Sequence, residues 1–346
     1  RIIVDGVSYS VRPSFVTPYL AGLVTEVEKA LFLRKFSVPF WGLAYVFGRN
    51  AMYWYRLELS IGRHQLVGTT VRHAEDIPDH LGADEKHTRI MGSKVYVAST
   101  CGAGCVLGAS VSPNAGEYAL TQSYGVFKAE AQKVKPDYTP KTVNTDGWSA
   151  TKKAWLALFS SVILIACFLH VYIKIRDRSK KKYQEWFQDV ANRLWRCYES
   201  PSKASFSQRL RRMYEWAIAE KDLPDFMLEK IKKLRSNAES FTVAYEFPGA
   251  HRTSNMVDRL MQQMDRHLFC TQYFHGSLTA AEYSIRGWAL IHNFAPCSPY
   301  NVRKHGGLKS PAERLNQFRY HDNWLQNLLI SGSLKGGIRV APLNPG

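Results

Sequence analysis

Acidic residues are scarce in this chain. Asp and Glu number 29 against 46 Lys and Arg, a formal charge of +17 over 346 residues. That imbalance favours a polyanionic partner, either nucleic acid or an anionic membrane surface. Paired cysteine is also missing. Cys101, Cys105, Cys167, Cys197, Cys270 and Cys297 are scattered with no CxxC among them, so neither a zinc ribbon nor a disulfide framework is indicated. Reduced thiols fit an intracellular protein. No long hydrophobic run occurs. The best candidate, Ala154–Leu169, is uncharged for about 16 residues, short of the ~20 that a spanning helix requires. It is interrupted by Ser160-Ser161, and its second half, Val162-Ile-Leu-Ile, has the β-branched character of a buried strand. Internal repeats and low-complexity tracts are absent too, and the chain opens at Arg1 without methionine or a signal-like region, as a fragment would.

What is present is ordinary globular material: 45% apolar residues and 13% aromatics, enough for two or three domains with their own cores. Residues 1–75 are helical and rich in aromatics. Val38–Gly48 and Ala51–Leu59 form two short helical patterns around a break at Arg49-Asn50, the layout of a helix-turn-helix. On that reading Arg49, Asn50, Tyr53 and Arg56 meet DNA, and the alternative is a helical hairpin whose aromatics are core.

From residue 78 the pattern turns to strands. His80–Glu85, Lys94–Thr100 and Cys105–Ser112 read as a three-strand meander, with Cys101-Gly-Ala-Gly-Cys105 as a hairpin turn. Glu117–Lys135 reads as a helix, Lys141–Asp146 as a strand, Ser149–Phe159 as a helix and Val162–His170 as a fifth strand. This β-β-β-α-β-α-β order is that of an RNase H-like α/β fold, a mixed five-stranded sheet with flanking helices spanning 78–170. Residues 171–247 are helical and basic, too long for a connection, and read as an inserted α-helical subdomain. Lys180, Lys181, Lys182, Arg209, Arg211 and Arg212, interleaved with Trp and Tyr, are its candidate DNA contacts, with a solvated basic face as the competing account. Residues 248–346 complete the core and form the tail.

Carboxylates fall where strands end. Asp84 lies in Gly82-Ala-Asp-Glu-Lys-His87, with Glu85 as its neighbour and competitor, since strand alternation lets only one of the two face a site. Asp146 lies in Thr142-Val-Asn-Thr-Asp-Gly-Trp148, where it can equally serve as a turn or helix cap. Cys167-Phe-Leu-His170 follows, then Thr253-Ser-Asn-Met-Val-Asp258 and the tail motifs His292-Asn-Phe294 and Ser310-Pro-Ala-Glu-Arg314. In this order and spacing the motifs resemble a DDE/D transposase of the prokaryotic insertion-sequence type. It is similar to the Mutator-like and hAT layout, with C-x-x-H after the second acid and a helical insertion before the third.

The resemblance implies metal-dependent DNA strand cleavage and strand transfer at the ends of a mobile element. It implies Mg²⁺ or Mn²⁺, two ions held by three carboxylates, with Asp84 as first ligand and Asp146 as second. The third is Asp258, where the family pattern S-N-x-x-E has glutamate, with Glu282 on the next helix as the alternative. His170 stands beside the centre, either touching the scissile phosphate or steadying a helix, and Cys167 with His170 makes too few ligands for zinc. Implied partners are double-stranded DNA, both the terminal inverted repeats and the target, and further copies of the chain in a homodimer or larger synaptic assembly. A cytoplasmic, nucleoid-associated location and no membrane follow from this. The alternative function is a catalytically inactive, transposase-derived DNA-binding protein.

Overall fold

The computed structural model describes residues 2–9, 13, 16, 22–179 and 181–336. The elements in chain order begin with a hairpin of β1 (Ile2–Val4) and β2 (Val7–Tyr9) and the helices α1 (Val24–Lys35), α2 (Phe40–Phe47), α3 (Ala51–Gly62) and α4 (Leu66–Thr70). Three strands follow, β3 (His80–Ile90), β4 (Ser93–Gly102) and β5 (Cys105–Ser112), then α5 (Glu117–Val134), β6 (Thr142–Thr145), α6 (Ser149–Leu158) and β7 (Ile163–Ala166). The remainder is helical: α7 (Phe168–Ser179), α8 (Gln184–Tyr198), α9 (Lys203–Ala219), α10 (Asp225–Ser236), α11 (Ala238–Thr242), α12 (Asn255–Cys270), α13 (Leu278–Phe294), α14 (Pro299–Lys304), α15 (Pro311–Asn316) and α16 (Trp324–Ser331).

A mixed five-stranded sheet runs in the order β5-β4-β3-β6-β7. β4 and β5 are antiparallel, joined at Ala103-Gly104, where both residues take positive φ. This is the primed two-residue turn whose twist matches the strands it connects. β3–β6 and β6–β7 are parallel. The β6 segment Thr-Val-Asn-Thr is wholly buried, as expected of a short parallel strand covered on both faces.

The chain divides into two compact units. The first comprises residues 1–78, 85–138 and 260–346, and the second 79–84 and 139–259. In the first, α3 crosses α13 at backbone contact. A Cβ on Gly62 would lie 1.8 Å from the Tyr283 carbonyl oxygen, and one on Gly287 2.4 Å from that of Glu58, so only glycine permits the crossing. Beside it Arg34 donates to the Glu58 carboxylate at 2.7 Å and lies 3.1 Å from His267 Nδ1, all three side chains being buried. A buried charge tolerates such a site only when paired and hydrogen-bonded in this way. In the second unit Phe168, Ile175, Val190, Leu194, Phe206 and Leu210 anchor a core that α7 to α10 share.

Three expectations are corrected. Residues 2–9, expected to be helical, form the β1–β2 hairpin, and β3 continues past the expected Glu85 to Ile90, so Asp84 lies within a strand rather than at its end. The run Val162–His170 is not a single strand: β7 stops at Ala166 and α7 starts at Phe168, so His170 lies in the first turn of a helix. The apolar run around it is likewise split between α6 and β7. Among the described residues no helix is long and apolar enough to cross a membrane.

Candidate active site

Asp84, Asp146 and Asp258 all belong to the second unit. In the β3–β6 ladder His80 faces Thr142, Leu81 faces Val143 and Gly82 faces Asn144. Carried on by one side-chain period, that register sets Asp84 level with Asp146, which follows β6 directly. Because strand side chains alternate, Asp84 shares the face of Gly82, while Asp146 lies in the turn that follows β6. α12 begins over this same face. A Cβ on Gly82 would sit 2.4 Å from Val257 Cγ2, so the missing side chain admits the helix turn that carries Asp258. An aspartate reaches one methylene less far than a glutamate, and the close approach offsets that difference.

The chain leading into α12 is stitched to the ends of β6 and β7. Asn144 Nδ2 donates to the His251 carbonyl at 2.9 Å, and the Phe168 amide to that of Arg252 at 3.2 Å. The Cys167 amide donates to Thr145 O at 2.8 Å. Cys167 Sγ accepts from the Ser254 amide at 3.1 Å and donates to Ser254 Oγ at 3.1 Å, while Ser254 Oγ donates to Asp258 Oδ2 at 2.7 Å. His170 lies three residues after Cys167, in the first turn of α7, and its Nδ1 has no hydrogen-bond partner among the described residues. Interaction with the Cys167 thiol raises the His170 pKa; burial opposes it, and the charges of Cys167, Asp146 and Asp258 add to the rise. Burial pushes the Cys167 thiol up, yet its interactions with His170 and Ser254, whose amide donates to the sulfur, outweigh burial and its pKa falls below the ordinary value. The site thus combines carboxylates with an imidazole biased toward its cationic form.

The carboxylates have local partners. Asp146 Oδ1 accepts from the Trp148 amide at 2.7 Å, so Asp146 does form the turn that introduces α6. Among the described residues no three His, Cys, Asp or Glu side chains are gathered closely enough to hold a metal ion. The donor set, three short and rotatable carboxylates, is the oxygen-only chemistry that Mg²⁺ and Mn²⁺ select, and in that respect the residues fit such ions. Glu282 lies on α13 in the first unit, unlike the three aspartates.

Of the proposed DNA contacts, Arg49 and Asn50 occupy the exposed turn between α2 and α3. Asn50 is the N-cap of α3, its Oδ1 accepting from the Tyr53 amide at 2.8 Å. The Arg49 guanidinium lies 5.6 Å from the Tyr53 ring centre. Arg56 is exposed, while the opposite side of α3, Trp54, Leu57, Glu58 and Ile61, is buried. Lys180 lies outside the described residues. Lys181, Lys182, Arg211 and Arg212 are exposed. Arg209 donates to the Arg196 carbonyl, and Arg211 lies 3.5 Å from Glu215.

Several features escaped the sequence reading. Lys174 and Arg178 on α7 and Lys230 and Lys233 on α10 form a cationic cluster. The Lys230 pKa is lowered, first by burial and then by Arg178, Lys233 and Lys174, with Glu229 opposing. Their i, i+4 and i, i+3 spacings were the available signal, obscured by the density of lysine and arginine around them. Trp41 and Tyr45, one turn apart on α2, stand 71% and 88% exposed. Gly82 was unrecognised as part of the site's frame, and Cys167 and Ser254, both noted within motifs, were not expected to bond to each other. Compared with known proteins, the chain matches no family model and no curated protein.

Proposed function

We propose that this chain is a DNA-cutting and DNA-joining enzyme, a transposase with an RNase H-like core that acts on the ends of a mobile element. The observation that carries the reading is the placement of the acids. Asp84 lies on β3 two residues beyond the Gly82–Asn144 pair, Asp146 directly follows the parallel β6, and Val257, beside Asp258 on α12, packs against Gly82. The sheet order supports it too, since an antiparallel meander extended by two parallel strands on its first strand's free side is the arrangement expected of that core. Mg²⁺ or Mn²⁺ bound there would lower the pKa of an attacking hydroxyl and neutralise charge on the leaving oxygen.

The chain's own residues supply the rest. Asp84, Asp146 and Asp258 offer hard anionic oxygens, and Asp146 exchanges its turn hydrogen bond to Trp148 for that role. His170, held toward its cationic form by Cys167 and two aspartates, presents a donor to a phosphate oxygen. The cluster Lys174, Arg178, Lys230 and Lys233 neutralises flanking phosphates. Arg49 and Arg56, with the exposed rings of Trp41 and Tyr45, give the α2–α3 region both phosphate contacts and stacking surfaces. Joining two element ends requires a dimer or larger assembly, acting where the cell's DNA is.

A second reading, an inactive transposase-derived DNA-binding protein, is favoured by one observation: Asp146 and Asp258 are engaged with Trp148 and Ser254 rather than with each other. Incubating the protein with a supercoiled plasmid carrying the element's ends, in Mg²⁺ or Mn²⁺, separates the two. Cutting that Asp146→Asn and Asp258→Asn abolish while DNA binding persists is the expected result. Binding by the unmodified chain without any cutting would hand the function to the second reading.

A further inference from the structure

The candidate site contains a hydrogen-bond chain that the sequence motifs do not announce. It starts on β7's last hydrogen bond to β6, where the Cys167 amide holds Thr145 O, the residue before Asp146. From the same cysteine the thiol donates to Ser254 Oγ at 3.1 Å, and Ser254 Oγ donates to Asp258 Oδ2 at 2.7 Å. The return contact, Ser254 N–H to Cys167 Sγ at 3.1 Å, makes the cysteine–serine pairing two-stranded. A serine hydroxyl has one hydrogen and two lone pairs. With the thiol hydrogen on its oxygen, the serine's own hydrogen is left to point at the carboxylate. Cys167 and Ser254 are both buried, so water does not compete for these positions.

We infer that Cys167 and Ser254 are positioning residues for Asp258: a relay anchored beside β6 fixes which way the third carboxylate faces. This rests on the metal-dependent reading above and extends it to two residues that touch neither ion nor DNA. The need for such a relay follows from the side chain itself. An aspartate on the first turn of a helix has staggered χ1 wells separated by small energies, and α12 alone does not choose among them. Ser254 Oγ chooses one, and Cys167 keeps Ser254 in place. The relay joins residues 87 positions apart in the chain, so it ties the direction of Asp258 to the strand ends that carry Asp146. Partners that orient a ligand without touching the metal characteristically change affinity by roughly 10- to 100-fold when removed.

The test is Mn²⁺ binding to the full chain, followed by the loss of the free-ion signal in electron paramagnetic resonance and therefore independent of DNA cutting. Ser254→Ala and Cys167→Ala are expected to weaken binding by roughly 10- to 100-fold. Cys167→Ser and Ser254→Thr, which keep a donor at each position, are expected to stay near the unmodified protein. They also serve where an alanine variant fails to fold, as judged by circular dichroism. Adding Ser254→Ala to Asp258→Asn is expected to change nothing further, because the carboxylate it orients has gone. The relay is overturned if Ser254→Ala binds Mn²⁺ normally while Asp146→Asn and Asp258→Asn weaken it. It is overturned equally if Cys167→Ser is as damaging as Cys167→Ala, which would make the cysteine a packing residue. If Asp146→Asn and Asp258→Asn both leave Mn²⁺ binding unchanged, the metal-dependent reading itself fails and the relay falls with it.

Discussion

Replacing Gly82 with alanine places a methyl group 2.4 Å from Val257 Cγ2. Carbon atoms pack at about 3.5–4.0 Å, so roughly 1 Å of movement has to come from somewhere. Val257 is buried at 1% exposure, and a β-branched side chain in a helix has essentially one χ1 rotamer. It cannot swing aside, so the start of α12 must lift or β3 must bow. Overpacking of this kind costs about 1–3 kcal/mol. On the proposed reading the functional cost is comparable, since a displacement of about 1 Å at a reacting centre is worth on the order of 10²-fold in rate, about 2.7 kcal/mol. The assay pairs urea unfolding with single-turnover cleavage of element-end DNA for Gly82→Ala, Val257→Ala and the double variant. Truncating Val257 opens the space the new methyl needs, so the double variant is expected to recover much of what Gly82→Ala loses. A coupling of 0.5–3 kcal/mol is the expected range for residues in contact. If the two effects simply add, or if Gly82→Ala unfolds and cuts as the unmodified protein does, the account of how α12 reaches the sheet is wrong.

Other consequences can be measured alongside. Gly287→Ala drives a Cβ toward the Glu58 carbonyl oxygen at 2.4 Å and is expected to destabilise the first unit by the upper end of about 1–3 kcal/mol, read as a lowered thermal midpoint. His292 is held neutral by burial, then by Lys35, with the Gly104 carbonyl opposing and Arg314 adding, its pKa lowered to about 4. The unfolded chain therefore binds a proton below pH ~6.5 that the folded chain refuses. Stability is intact above that pH and is lost as pH falls toward 4, by about 3 kcal/mol for this one group. Melts between pH 7 and 4.5 should show the decline, and His292→Gln should flatten it. Neutralising Lys174, Arg178, Lys230 and Lys233 to glutamine is expected to reduce the slope of log affinity against log salt by up to about 3.6 for duplex DNA. An unchanged slope would place the DNA elsewhere.

The sheet was largely legible in the sequence because its signals are local. The Gly-Ala-Gly turn and its flanking apolar residues announce the β4–β5 hairpin, and Cys105–Ser112 is the strand expected. The junction at Ala166–Phe168 was not legible. Val162 to Leu169 is continuously apolar, no glycine or proline marks the change of period, and the residue before α7 is Cys167 rather than a Ser, Thr, Asp or Asn that would advertise a helix start. Asp146 could be assigned to a strand end, but its hydrogen bond to Trp148 could not be distinguished from a ligand's role. What the sequence concealed most fully were long-range facts. Gly82 reads as a mild strand breaker until Val257 is found against it, and Ser254 reads as a helix-start residue until Cys167 is found on its other side. The helix pair at 38–59 was visible, whereas the burial of one side of α3 against α13 depends on glycines more than two hundred residues apart.

The order in which the chain is synthesised gives the second unit an additional property. Its β3–β6 pairing joins residues 62 positions apart, and α12 closes over Gly82 only after the whole helical insertion has been made. Contacts of such long range form late, after local hairpins and helices have committed. A ribosome-bound or prematurely terminated chain lacking α12 therefore carries Asp84 and Asp146 without Asp258, Val257 or Ser254. On the proposed reading, the three acids are assembled only once α12 has been made, and shorter products lack the ability to cut.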